Sequence, residues 1–305
     1  MCPLPDEAVP RGIEVSTSHW MRQLESVLSP SSPVDILTLY HNGNFFCDRE
    51  VPVERRAALY DYVRQTQVST LVVESLPQFV TQDRLAHAAR HLRFDQRMEV
   101  AIGLQSFDAF LRETVLASPC SASAMDQALT ALARHGWRAQ VFLMFQMPFL
   151  TPQEAAWALE RSILQTQARW GIAEPTVCPL RIAPATVAHE LHAQGPLQLG
   201  SLWNLVDVLH RVRLQRPDNR ARVAMSLLQP TSTLEPTTDA CPACRQELLQ
   251  WLDAYNHGAL PPLPPQYDGC TCRGSRLPAL AYDPAQVRER IDAYLQAVQG
   301  ASAKN

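Results

Sequence analysis

The chain has 305 residues and a mass of 34.1 kDa, with 46% hydrophobic, 19% charged and 7% aromatic residues. Its 27 Lys+Arg against 30 Asp+Glu leave a formal charge of −3, and both signs are scattered, which excludes the strong positive field of a tight nonspecific nucleic-acid binder. The richest apolar run, Val141 to Leu150, is about half the roughly 20 residues a membrane span requires and contains Gln146 and Pro148, so it predicts a buried strand. Met1 to Glu7 carries neither a basic region nor an apolar one, so no secretion signal is expected and the cytoplasm is the default. In that reducing setting the eight cysteines are expected as metal ligands, catalytic groups or buried hydrophobes rather than disulfides.

In chain order, the patterning predicts a helix over Trp20–Leu28, a strand over Val34–Tyr40, a helix over Val53–Gln67 opened by Pro52, and a strand over Thr70–Glu74. There follow a helix over Thr81–Leu92, a strand over Met98–Leu104, helices over Asp108–Leu116 and Ala122–His135, and a strand over Ala139–Met147. Thr151 as N-cap, Pro152 at the first helical position and Gly171 as stop define a long helix to Trp170. A strand over Thr176–Ile182, a short helix from Thr186, a helix over Leu202–Leu214 and a strand over Val223–Leu228 complete the main part. Leu71-Val72-Val73 and Val100 to Leu104 lack polar alternation, as strands covered on both faces do. Strand and helix in turn mean parallel βαβ units, hence an α/β fold, either a barrel or an open doubly wound sheet.

From Gln229 to Ala240 the composition shifts to Pro, Thr and Ser, so a boundary is expected at residues 230/231, with a C-terminal module over 231–305. That module holds Cys241-Pro-Ala-Cys244, a helix to Asn256, a Pro-rich loop, Cys270-Thr-Cys272 and a last amphipathic helix over Asp283–Gln299. Four thiols in two close pairs across a loop suit a tetrahedral ion, and a site with four protein ligands has no open position, so structural zinc is the expectation. A redox dithiol or free cysteines are the alternatives. Metal analysis of Cys241→Ser and Cys270→Ser separates them.

Tyr40-His41-Asn42-Gly43-Asn44-Phe45-Phe46 follows the first predicted strand, at the end where parallel α/β folds place their sites, and its glycine lets backbone approach a ligand. Glu74 ends the next strand and Gln105-Ser106 the third, so a shared pocket is expected at these three polar strand ends. His189/His192 and His87/His91 lack a carboxylate partner in pattern and are expected as surface or packing residues. Cys47, Cys120 and Cys178 have no sequence-near partner. No Walker loop, Rossmann glycine triplet or G-x-S-x-G occurs.

Val100-Ala-Ile-Gly-Leu-Gln-Ser-Phe-Asp, Leu111-Arg112, Cys120-Ser121 and the helix after it resemble the fourth barrel strand and following helices of radical S-adenosylmethionine (radical SAM) proteins of the elongator-acetyltransferase and oxygen-independent coproporphyrinogen-oxidase type. Val73-Glu74-Ser75-Leu76-Pro77-Gln78 resembles that group's Glu-Thr/Ser-Arg-Pro-Asp/Glu strand motif, with Leu76 and Gln78 in place of its Arg and acid. The Asn-Gly-Asn-Phe-Phe loop, Pro148-Phe149-Leu150-Thr151 and a late C-x-x-C with closing C-x-C are similar to the radical SAM subunit of archaeosine synthase and its bacterial relatives.

The resemblance implies a partial (β/α) barrel, a [4Fe–4S] cluster and S-adenosylmethionine as cofactors, reductive cleavage of the latter, and hydrogen abstraction from a small-molecule, nucleoside or tRNA substrate. It implies Asn42, Gly43, Asn44 and Glu74 near the cofactor's methionyl end, with Gln105 and Ser106 facing cofactor or substrate. The family's C-x-x-x-C-x-x-C motif is not in this sequence. Met1-Cys2 resembles the end of a Cys-Thr-Met-Cys string, so Cys2 is expected as the third iron ligand, with one strand and two cysteines upstream of residue 1. A first strand lost from a buried parallel sheet would leave an unpaired edge, which fits that reading. The alternative is a cluster-less, non-catalytic scaffold with a structural zinc that binds a partner or RNA.

Overall fold

A computed structural model describes residues 13, 15–229, 235–236, 240–265, 270, 272 and 278–302. The elements are α1 (Thr17–Val27), β1 (Ile36–Leu39), α2 (Val53–Arg64), β2 (Thr70–Glu74), α3 (Gln82–His91), β3 (Arg97–Gln105), α4 (Ala122–Ala133) and β4 (Arg138–Phe145). They continue as α5 (Pro152–Trp170), β5 (Thr176–Pro179), β6 (Arg181–Ile182), α6 (Val187–Ala193), α7 (Leu202–Gln215), β7 (Arg222–Val223), β8 (Glu235–Pro236), α8 (Pro242–Asn256) and α9 (Pro284–Ser302). Six strands form one sheet in the order β1-β2-β3-β4-β5-β7, an α/β half-barrel, while β6 and β8 form a separate antiparallel pair. The expected boundary at 230/231 lies at residues outside those described.

Contacts divide the described residues into two compact units, one within 13–103 and 119–141, the other within 104–118 and 142–302. In the first, β1 pairs β2 and β2 pairs β3, all parallel, with Leu39 beside Val73 and Glu74 beside Ala101. Four of the five β2 residues are buried, which explains their unbroken apolar run. Phe45, Phe46, Leu59, Tyr60, Leu85, Met98 and Ile102 fill this unit's core.

In the second unit, β4 pairs β5 and β5 pairs β7, again parallel. The predicted long helix forms at its predicted bounds as α5, because Thr151 and Glu154 make a reciprocal capping box, Pro152 needs no N–H there, and Gly171 takes the left-handed conformation (φ 67°). Met147, Leu150, Ala155, Ala158, Tyr282 and Val287 form a buried cluster that seats α9 on α5.

Three predicted elements differ. Asp108–Leu116 is a π-helical turn over Phe110–Val115, in which Leu116 N–H reaches back to Leu111 O at 3.0 Å. The cause is Arg112, 1% exposed, whose Nη1 takes the Ser106 and Phe107 carbonyls at 3.0 Å each and draws the turn wide. Thr176–Ile182 breaks after Pro179 into β5 and β6. Val223–Leu228 is strand only over Arg222–Val223, followed by a 3-10 turn over Met225–Leu228. There the Asn256 carboxamide stands in for a neighbouring strand, accepting Val223 N–H and donating to Val223 O at 2.9 Å each.

Candidate functional site

The loop leaving β1 is fixed by the end of β2. Asn42 adopts φ 61°, a left-handed conformation that Asn tolerates better than most residues. This turns the His41 and Gly43 N–H groups onto one carboxylate oxygen of Glu74, at 3.0 and 3.2 Å. Phe45 N–H donates to the Glu74 carbonyl at 2.9 Å, and Leu76 N–H donates to Asn44 Oδ1 at 2.9 Å. The structure therefore brings Asn42, Gly43, Asn44 and Glu74 into one cradle at the C-terminal ends of two parallel strands, where α/β folds build sites.

Glu50 closes the other side of the loop. Asn44 Nδ2 donates to Glu50 Oε1 at 2.8 Å, and the Asn44 N–H donates to Oε2. A Cβ on Gly43 would lie 2.2 Å from Glu50 Oε2 and 3.2 Å from His41 Nε2, so only glycine leaves this arrangement undisturbed. Phe45 and Phe46, both 0% exposed, anchor the loop in the core. Behind it, Arg56 donates to the Val51 carbonyl and to Asp48 at 2.6 Å each, and its guanidinium holds the Asp48 carboxyl below the usual range.

His41 stacks obliquely on Trp20, with centroids 5.7 Å apart, and its Nε2 lies 3.8 Å from Glu50. Burial pushes the His41 imidazole below its ordinary value, opposed by the Glu74 and Glu50 carboxylates. Its Nε2 has no hydrogen-bond partner among the described residues. His41 and Glu50 were not singled out by the sequence pattern. His41 sits inside the glycine-bearing loop, which was a usable signal; Glu50 had none.

Gln105 ends β3 and Ser106 follows it, both in the second unit. Gln105 has φ 65°. Ser106 is fully buried, its hydroxyl 3.3 Å from that of Ser162 and accepting Asp108 N–H at 3.2 Å. In the same unit, Gln146 follows β4 with φ 75° and is 1% exposed. Neither its amide oxygen nor its amide nitrogen has a partner among the described residues. Gly200 makes room for it, since a Cβ there would meet Gln146 Nε2 at 2.3 Å.

The four tail thiols also converge: the sulfurs of Cys241, Cys244, Cys270 and Cys272 all lie within 4.8 Å of one another. A tetrahedral ion with bonds of about 2.3 Å sets its sulfurs about 3.8 Å apart, so one ion fits this group. Cys241 is the N-cap of α8, with Pro242 next. Hydrogen bonding from the Cys244 N–H, with Cys270 adding to it, brings the Cys241 thiol down to about 6; such donors at a helix N-terminus favour the thiolate a metal needs. Cys241 N–H donates to Cys272 Sγ at 2.6 Å, and Cys272 N–H to Cys270 Sγ at 3.2 Å.

Cys2 lies outside the described residues. Burial pushes the Cys178 thiol up to about 12. His87 and His91 face each other at 4.7 Å between centroids, with His91 on Asp61 at 2.7 Å, and His192 caps the Leu197 carbonyl at 3.1 Å. Among the described residues no helix is long and apolar enough to cross a membrane.

No protein-family model matches the chain. It is 22% identical over 180 residues to an uncharacterized protein of Methanocaldococcus jannaschii, covering 59% of this chain and 48% of that one. It is 22% identical over 206 residues to archaeosine synthase subunit beta of Methanosarcina acetivorans, covering 67% and 59%. The chain thus spans about half the length of the curated relatives it matches. Its fold is similar to that of Methanocaldococcus infernus Elp3 with an N-terminal deletion, with TM-score 0.54 and 15% identity over 78% of this chain and 58% of that one. In sequence the chain is thus similar to a subunit of archaeosine synthase, and in fold to Elp3.

Proposed function

We propose that this chain is the barrel part of a radical SAM enzyme that works with a protein partner on a small molecule, a nucleoside or tRNA. The observation that carries the reading is the cradle of Asn42, Gly43, Asn44 and Glu74 at the strand ends of a half-barrel similar to Elp3. The similarity to a subunit of archaeosine synthase supports both the partner and the nucleoside class.

A [4Fe–4S] cluster with S-adenosylmethionine would supply hydrogen abstraction by a carbon radical. The cradle suits the methionyl end of that cofactor: Glu74 offers a carboxylate to an ammonium group, while the loop turned by Asn42 and Gly43 lets backbone approach. Gln105 offers an amide at the end of β3, and the buried Ser106 holds the following turn in place. Cys2 would be one ligand of that cluster. The four-thiol group suits structural zinc in place of a redox role, because four protein ligands close the coordination sphere.

The test is anaerobic isolation of the product of the whole natural gene. Iron and sulfide bound in near-equal amounts, with 5′-deoxyadenosine released from S-adenosylmethionine after reduction, is the expected result. Absence of both, with zinc still bound, would replace this reading by the cluster-less scaffold.

A further inference from the structure

We propose an oxyanion site that takes one phosphoryl group, in an open cleft of about 640 Å³ lined at the N-terminal ends of β5 and β7 by Glu174, Thr176, Arg220 and Arg222, and across from them by Tyr255 and His257. It stands apart from the iron–sulfur reading, since α/β folds place their reacting groups at the opposite, C-terminal ends of strands.

Backbone pairing fixes the two arginines. Arg220 N–H donates to Ala173 O at 2.6 Å and Arg222 N–H to Pro175 O at 2.9 Å, and Thr176 pairs with Arg222 across the strands. Ala221 and Val223 between and after them are buried, so the extended backbone turns both guanidinium groups outward on one side. Arg222 makes no side-chain hydrogen bond or ion pair with any described residue. Arg220 spends one terminal nitrogen on the Pro217 and Asn219 carbonyls, at 2.6 and 3.1 Å, which holds its stem while leaving the rest of the fork for a ligand.

Tyr255 forms the wall of the cleft behind the two arginines. It is 2% exposed, with the Arg213 guanidinium beside its ring and hydroxyl. Arg213, which stacks on its ring at 5.7 Å, is itself held by the Asn219 and Gly258 carbonyls at 2.8 Å each. Two planar forks side by side match the several oxygens of a tetrahedral phosphoryl group better than the two of a carboxylate. Glu174 on the rim repels further negative charge, which suits one phosphoryl group rather than a polyphosphate.

The phosphoryl group can be free phosphate or part of an RNA backbone, and the experiment separates them. Calorimetric titration with inorganic phosphate and with a short single-stranded RNA is compared for the wild-type chain, Arg222→Gln, the double variant Arg220→Gln/Arg222→Gln, and Glu174→Gln. Expected are binding of at least one ligand to wild type, weakening of about tenfold in Arg222→Gln, loss in the double variant and tighter binding in Glu174→Gln. Phosphate binding alone assigns a free ligand; tighter RNA binding with a steep salt dependence assigns a backbone. The proposal is overturned if neither ligand binds wild type, or if the double variant, folded by circular dichroism, binds as wild type does.

Discussion

Arg290 on the last helix grips Glu154 at the start of α5 with both terminal nitrogens, each 2.7 Å from a carboxylate oxygen, across 136 residues of chain. The same guanidinium donates to the carbonyl of Phe149, whose φ of 65° turns the loop before α5. Glu154 also accepts the Thr151 N–H at 2.7 Å, so one carboxylate serves the helix cap and the clamp together. Arg290→Ala leaves a carboxylate that is 5% exposed without its cation. The expected loss is about 2 kcal/mol, less than for breaking a fully buried pair because Arg290 is itself partly exposed, and it is read by urea unfolding.

The same clamp gives stability a pH dependence of known sign. Burial alone raises the Glu154 carboxyl, but the Arg290 and Thr151 hydrogen bonds outweigh it and hold the group below its ordinary value. A depressed folded-state value contributes stability that is present above the unfolded-state value and lost as pH falls through the folded one. Unfolding measured from neutral pH into the acid range is therefore expected to fall less steeply in Glu154→Gln than in wild type. Parallel curves would show that other carboxylates govern the acid limb.

Glu74 ties the β1 loop to β2 through two amides that have no substitute acceptor of equal strength. Glu74→Ala is expected to cost about 1 kcal/mol, since the stranded donors are part-buried, and to loosen residues 41–45 in hydrogen exchange. It also removes a carboxylate that raises His41. The His41 ring titration followed by NMR should move further down in Glu74→Gln, where the loop's hydrogen bonds can persist but the charge is gone. An unmoved titration would mean that Glu74 does not act on His41 electrostatically.

What could be read from the sequence follows the range of each interaction. β2 and α5 form at their predicted bounds because their signals are local: an unbroken apolar run, and Thr151, Pro152 and Gly171 at the ends of one helix. The four thiols were legible because metal ligands come in short spacings, and Glu74 because a charge ending an apolar strand is conspicuous. The π-turn was not legible, since it depends on where Arg112 finds carbonyls once buried. Nor was the shortening of β7, which turns on Asn256, 33 residues away. Glu50, Arg290 and Gln146 carry no pattern of their own and take their roles only from partners, or the lack of them, in the folded chain.

The tail thiols give a direct test of metal. One zinc per chain is expected on elemental analysis, with release on thiol modification. Cys241→Ser and Cys270→Ser should each lose the ion and lower the melting temperature, since binding energy in such a site is folding energy. Undiminished zinc in both variants would sink the four-thiol site.

Gln146 presents the opposite case, a polar group whose removal is expected to stabilise. Its amide oxygen and nitrogen are both buried and unpartnered among the described residues, and each such group costs on the order of 1–3 kcal/mol. Methionine has nearly the same length and no polar atom to satisfy, so Gln146→Met should raise the melting temperature of the ligand-free chain by a few degrees, for about 1–2 kcal/mol gained. Residues that oppose stability in this way concentrate at functional positions, and Gln146 follows the strand end of β4 with a left-handed backbone that adds to the strain. A lower melting temperature in Gln146→Met would instead show that the amide is satisfied in solution, and would remove the reason to connect it with binding.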